Sequence, residues 1–267
     1  MLKGFNYPLT PKGMSTLNPL PPWYYSADFL SIEFWADPAA VRATLPDGLD
    51  PDPAADGHAT ALFYDWQFSG SKEEFLDPAR YQYREFFILL DSLFEGRPVA
   101  YCPYIFVDND AALARGWSQG YPKRLGAIFQ TRYYAATGKA GPALAAGAKL
   151  AATISAGGQR LAEGLVTLKK PVKDLAGFSE RPVVNLLHYP RLAAGMHGKP
   201  AIHQLVENVP HDVKIEQAWA GEGNLTLPVC RGEELSDLAP RRCGKGIRAS
   251  MAYIVDDLKT LKQFAVD

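Results

Sequence analysis

Lys123 and Arg124 stand side by side in the stretch Gly120-Tyr121-Pro122-Lys123-Arg124-Leu125-Gly126. Glycines at both ends permit sharp changes of direction and the fixed φ of Pro122 removes one backbone freedom, so the lysine is expected to be held in place. An amine is a nucleophile only when neutral, and desolvation or a neighbouring cation brings a lysine down from its ordinary pKa of about 10.4. Arg124 offers a cation that does not itself deprotonate. The same pair also fits a solvated surface turn, the commoner setting for adjacent cations. If it is held and desolvated, the chemistry open to it is attack on a ketone carbonyl, with the resulting iminium acting as an electron sink.

Three further residues could serve that chemistry. In Tyr83-Arg84-Glu85, strand alternation puts Tyr83 and Glu85 on one face and Arg84 on the other. Glu85 is then either an interior carboxylate or a solvent-facing strand residue with an ion-pair partner. Gln119 lies close enough in sequence to present an amide near Lys123. Trp117 either fills the core or lays an apolar ring against the amine, and the second placement would favour the neutral amine.

Other chemistries lack their patterns. The five histidines, His58, His188, His197, His203 and His211, show no H-E-x-x-H spacing and read as structural or surface residues. No G-x-S-x-G elbow supports a serine hydrolase, and no glycine fingerprint between a strand and a helix supports a dinucleotide site. Cys102, Cys230 and Cys243 are odd in number and far apart, which points to reduced thiols. No cofactor is expected, because a lysine supplies its own electron sink.

The elements that must position these residues read as short strands. Residues 1–23, with Pro8, Pro11, Pro19, Pro21 and Pro22, form an expected proline-rich arm packed on something larger, either this chain or a neighbouring subunit. A strand is expected over Leu30–Trp35, and then a short helix capped by Asp37 with Pro38 at its first position, stopped by Pro46. Strands follow over 59–68, 81–90 and 98–107. Asp108-Asn109-Asp110 caps a helix that delivers the chain to the lysine turn. Beyond it, strands are expected over 127–134, 149–155, 161–169, 183–188, 201–209, 213–219, 225–229 and 247–255, with a closing helix over 256–264. This pattern, without a βαβ rhythm, indicates an α+β chain that is mainly antiparallel β, curled or closed as a barrel with short flanking helices. The expectation is one domain over residues 1–267.

A net charge of −1, a pI near 6.5 and a composition 47% hydrophobic and 21% charged describe a globular chain and argue against a nucleic-acid partner. No run approaches the roughly 20 apolar residues that cross a bilayer, and the first residues have no signal-peptide core, so no membrane partner and a cytoplasmic location are expected.

The chain resembles the acetoacetate decarboxylase-like superfamily over most of its length. The most specific match is Tyr121-Pro122-Lys123-Arg124-Leu125-Gly126, where the decarboxylases carry a Lys-Lys pair. Further matches are Leu30 to Leu45, Tyr83-Arg84-Glu85 and Glu216-Gln217-Ala218-Trp219-Ala220-Gly221. Acetoacetate decarboxylase is itself the standard example of a lysine activated by an adjacent cation, so the mechanism comes with the resemblance.

The resemblance implies a cone-shaped antiparallel barrel, a homo-oligomer (a tetramer), a Schiff base on Lys123 with a small keto acid, Glu85 as catalytic glutamate and Arg124 as the pKa-lowering cation. Two departures stand out. The decarboxylases have an arginine near the first strand and a second glutamate on a later one, where this chain has Ala27 and Ala61. That arginine would suit a substrate carboxylate. Its absence, with the set Trp117, Gln119, Tyr83 and Tyr253 as substrate-binding residues, is similar to the aldolase-dehydratase and hydratase branch, whose substrates are pyruvate with an aldehyde or an unsaturated 2-oxo acid. Acetoacetate decarboxylation and a non-catalytic barrel for an apolar ligand are the alternatives.

Overall fold

Strand-forming stretches outnumber helical ones in the sequence, and the computed structural model gathers them into one twelve-stranded sheet. It describes residues 1–70, 72–136, 138–173, 181–193 and 195–265. In chain order the elements are β1 (Trp23–Trp35), α1 (Pro38–Thr44), β2 (Asp50–Pro51), β3 (His58–Ser69), α2 (Pro78–Tyr81), β4 (Gln82–Phe94), β5 (Arg97–Val107), α3 (Asp110–Ser118), β6 (Lys123–Leu125), β7 (Ala127–Gln130), β8 (Lys149–Ala156), β9 (Gln159–Pro171), β10 (Val183–Tyr189), β11 (Ile202–Thr226) and β12 (Arg242–Gln263).

Neighbouring strands run β10-β5-β4-β3-β1-β12-β11-β9-β8-β7, and an extra β10–β11 pairing closes the first seven into a ring. The pairings are antiparallel apart from β5 with β6 and a single β10–β5 contact at Val183 and Ala100. The curled, mainly antiparallel α+β architecture expected from the sequence is the one observed.

Alternation sorts the side chains of each ring strand into two sets. One set, including Tyr25, Phe29, Leu62, Tyr64, Trp66 and Tyr83, packs as an interior aromatic cluster. The other set, including Ile32, Phe34, Ala61, Phe63, Phe86 and Ile88, packs against Ile128, Leu150, Ile154 and Val166 of β7–β9, which cover the outside of the ring. Ala61 therefore faces the covering layer and not the interior.

Local signals act where the sequence placed them. Asp37 caps α1, its carboxylate accepting from the Ala39 amide at 2.7 Å, and Asn109 caps α3, accepting from the Ala112 amide at 2.9 Å. The proline-rich arm is anchored on this chain at its C-terminal end. Asn18 is fully buried and accepts from Arg115 at 3.2 Å.

The closing helix is corrected. Residues 256–263 continue β12 and pair with β11, Leu258 opposite Asn208 and Thr260 opposite Val206. Val255, Leu258 and Leu261 fall three apart and mimic a helical stripe, but the long partner strand supplies backbone hydrogen bonds along the whole segment. The strands expected over 201–209, 213–219 and 225–229 are one strand, β11, ending at Thr226. It is interrupted by register shifts near Pro210 and Trp219, with Asp212 and Gln217 at φ +51°.

Candidate active site

Helix α3 exists to turn the chain back. Gly120, at φ +78°, follows its C-terminal end, and the Gly116 carbonyl accepts from the amides of Gln119 and Tyr121, each at 2.9 Å. Only a residue without a β-carbon takes this left-handed conformation freely. The Lys123 amide then donates to the Tyr121 carbonyl at 2.8 Å, and β6 runs beside β5 with Lys123 opposite Ile105. The lysine stem lies across α3 at Gly116, where a β-carbon would stand 2.2 Å from Lys123 Cδ. A glycine here makes the room.

Lys123 is 7% exposed and its Nζ donates to Glu85 Oε2 at 2.5 Å. Glu85 Oε1 accepts from the Trp66 indole at 3.1 Å, so both carboxyl oxygens have fixed donors. Tyr83, two residues before Glu85 on β4, places its ring 5.5 Å from Nζ. Gln119 is buried and its Nε2 donates to the Tyr25 hydroxyl at 3.4 Å; the Tyr25 ring stacks on Tyr253 at 4.9 Å. The structure thus brings together Lys123, Glu85, Gln119, Tyr83 and Tyr253 around one cavity of about 470 Å³. Burial holds the Lys123 amine below the ordinary lysine value. Burial likewise pushes the Tyr25, Tyr83, Tyr121 and Tyr253 phenols up, so they stay protonated as donors.

Two of the expected residues are elsewhere. Arg124 points away, its guanidinium paired with Glu233 at 2.6 and 2.8 Å and half exposed. Alternation explains this: residue 123 faces in, so residue 124 faces out. A buried cation stands on the other side of the site: Arg115 of α3, only 2% exposed, stacked over Phe68 at 3.7 Å and 5.2 Å from the Tyr83 ring. Burial lowers Lys123 most, Glu85 raises it, and the Arg115 charge lowers it to a smaller extent. Sequence reading missed Arg115 because it looked for a cation beside the lysine in the chain, not eight residues back on a helix. Trp117 is also no cavity residue: 48% exposed, it donates from its indole to the Lys123 carbonyl at 2.9 Å and so fixes the backbone.

A wider depression of about 700 Å³ lies along Ser26, Asp28, Asp65, Arg132, Arg248 and Ser250, without Lys123 in its wall. Two of its charge pairs are internal, Arg248 with Asp28 at 2.8 Å and Arg132 with Asp65 at 3.6 Å, and the buried Lys123–Glu85 contact makes the smaller cavity the site of interest. Among the described residues no three His, Cys, Asp or Glu side chains gather as a metal site requires.

The family model for acetoacetate decarboxylase matches residues 6–264. A structure of the enduracididine biosynthesis enzyme MppR, complexed with the condensation product of pyruvate and imidazole 4-carboxaldehyde, is 34% identical and superposes with a TM-score of 0.91 over 99% of this chain and 98% of that one. An acetoacetate decarboxylase-like enzyme from Sphingomonas wittichii RW1 is 25% identical, with a TM-score of 0.88 over 98% of this chain and all of the other. Acetoacetate decarboxylase of Ralstonia nicotianae (strain ATCC BAA-1114 / GMI1000) is 27% identical over 214 residues, 78% of this chain and 75% of that protein.

Proposed function

Because the chain belongs to the acetoacetate decarboxylase family, we propose that it is a lyase working through a Schiff base on Lys123, an aldolase-dehydratase of pyruvate or a hydratase of the unsaturated 2-oxo acid. The observation that carries this reading is the buried contact of 2.5 Å between the Lys123 amine and Glu85 at the cavity wall. Pyruvate and its aldehyde condensation product occupy MppR, at 34% identity, which supports the same substrate class here.

In this mechanism neutral Lys123 attacks C2 of pyruvate and water leaves, forming the iminium. Glu85 takes a proton from C3, giving an enamine. Its C3 bonds to the aldehyde carbon, whose oxygen is protonated. Loss of a C3 proton and of that hydroxyl as water makes the double bond, and hydrolysis frees the unsaturated acid and the amine. Pyruvate and an aldehyde thus give one unsaturated 2-oxo acid and one water. Gln119 and the protonated Tyr83 and Tyr253 orient the substrate carboxylate and hydroxyl by hydrogen bonds. No separate cofactor enters, because the iminium is the electron sink. We further propose that the chain acts as a single domain.

Borohydride reduction in the presence of pyruvate, followed by intact mass measurement, is expected to trap one pyruvate per chain on Lys123. No adduct with pyruvate or acetoacetate would overturn the Schiff-base reading and leave a barrel that binds its ligand non-covalently. The Ralstonia relative supports decarboxylation as the second reading. Carbon dioxide released from acetoacetate at a rate matching condensation would favour it.

The pH dependence separates the two arginines. The reactive amine fraction grows as pH rises through the Lys123 pKa, which burial and then Arg115 hold down while Glu85 pushes it up. Arg115→Met is expected to move the rise in amine reactivity to higher pH and Glu85→Gln to lower pH, with Arg124→Ala leaving it in place. The measurement is the rate of modification by an amine-acylating reagent across pH. A shift with Arg124→Ala equal to that with Arg115→Met would count against this assignment.

A further inference from the structure

The paired strands β3 and β4 line the cavity with inward residues at successive levels, and Glu85 faces Tyr64 at one of them. The levels beyond it are Leu62 with Phe87, then Thr60 with Leu89, then His58 with Asp91. At roughly 3.3 Å per residue, Thr60 lies about 13 Å and His58 about 20 Å along the strand from the Glu85 level. Pyruvate, with six heavy atoms, fills only the part beside Lys123, whereas about 470 Å³ is the size of a site for a much larger ligand.

The far levels change character from apolar to polar. Asp91 accepts from His58 Nδ1 at 2.9 Å and is ion-paired with Arg181 Nε at 3.2 Å, and Arg181 also donates to Asp52 at 2.7 Å. Both carboxylates are paired, and the charged side chains lining this end of the wall, Glu33, Asp91, Arg181 and Lys245, are two of each sign, which favours a neutral ligand group. With Nδ1 fixed on Asp91, the imidazole keeps Nε2 for another partner. Two cavity hydroxyls have no hydrogen-bond partner among the described residues: Ser31 Oγ, on a residue only 1% exposed and opposite Leu62 across the sheet, and Thr60 Oγ1 one level beyond. A hydroxyl that opens onto a cavity with no protein partner is free to bond a ligand hydroxyl or water.

We infer that the carbonyl partner is an elongated aldehyde with a flat apolar middle and a neutral hydroxyl at its far end. The apolar part packs between Leu62 and Phe87, and the hydroxyl is received by Ser31 and Thr60. This rests on the pyruvate-condensing reading above and names its second substrate class.

The test is condensation of pyruvate with acetaldehyde, benzaldehyde, cinnamaldehyde and 4-hydroxycinnamaldehyde. The expected result is a kcat/KM for 4-hydroxycinnamaldehyde at least tenfold above that for benzaldehyde and above that for cinnamaldehyde. Thr60→Val combined with Ser31→Ala is expected to lower kcat/KM for 4-hydroxycinnamaldehyde at least fivefold more than for cinnamaldehyde, which erases the advantage of the hydroxyl. Equal rates across the aldehydes, or an equal loss for both cinnamaldehydes in the double variant, would overturn the inference. Trapping with pyruvate alone and borohydride distinguishes the failures: an adduct without length preference overturns only the aldehyde class, and no adduct overturns the Schiff-base reading as well.

Discussion

Lys123→Ala is expected to lower kcat by roughly 10⁴-fold or more, the scale seen when a covalent nucleophile is removed, without a matching rise in KM. The loss cannot be recovered with more pyruvate, because what disappears is the bond that converts a ketone into an electron sink. Lys123→Arg is expected to be as inactive. It keeps a cation beside Glu85 but never presents a neutral amine in water, so it separates a nucleophilic role from an electrostatic one. Glu85 keeps the Trp66 indole as a donor in both variants, so native circular dichroism and a cooperative thermal transition should accompany the inactivity. Turnover by Lys123→Arg within tenfold of the parent protein would reduce the lysine to a charged wall residue.

Gly116→Ala carries the second large effect, and its sign differs between activity and stability. In a helix interior alanine is favoured over glycine by about 1 kcal/mol, and Gly116 has no positive φ that would strain the new residue. The added methyl would nevertheless stand 2.2 Å from Lys123 Cδ and 2.4 Å from Cε. The flexible end of a lysine moves aside cheaply, so folding should be unchanged or slightly improved. The amine, however, leaves its place beside Glu85, and a displacement of about 1 Å at a reacting atom can cost roughly 10²-fold in rate. Pyruvate trapping rates and thermal melting on the same variant check both halves. A variant that is fully active would mean that the amine is free to reposition.

The Gly116 effect marks the boundary of what could be read in the chain. Strands announce themselves by alternation, and the caps Asp37 and Asn109 by their residue types, because those signals are local. Lys123 was legible for the same reason, as a lysine between a proline and a glycine-bounded turn. What Arg115 and Gly116 do depends on how α3 crosses β6, a relation between elements that residue spacing does not encode. The C-terminal stripe Val255, Leu258, Leu261 misled because an apolar spacing of three suits a helix equally, and only the long partner strand β11 decides the matter. Arg124 misled through adjacency: in an extended segment the immediate neighbour is the residue that points away.

Lys123 comes from the short segment between α3 and β7, whereas the levels of the cavity wall belong to β1, β3, β4 and β12. The amine and the far wall of the cavity are therefore carried on separate stretches of polypeptide, with Glu85 and Tyr83 of β4 lying where the two meet. Substitutions at Leu62, Phe87 or Thr60 would reshape the wall without altering the turn that holds Lys123.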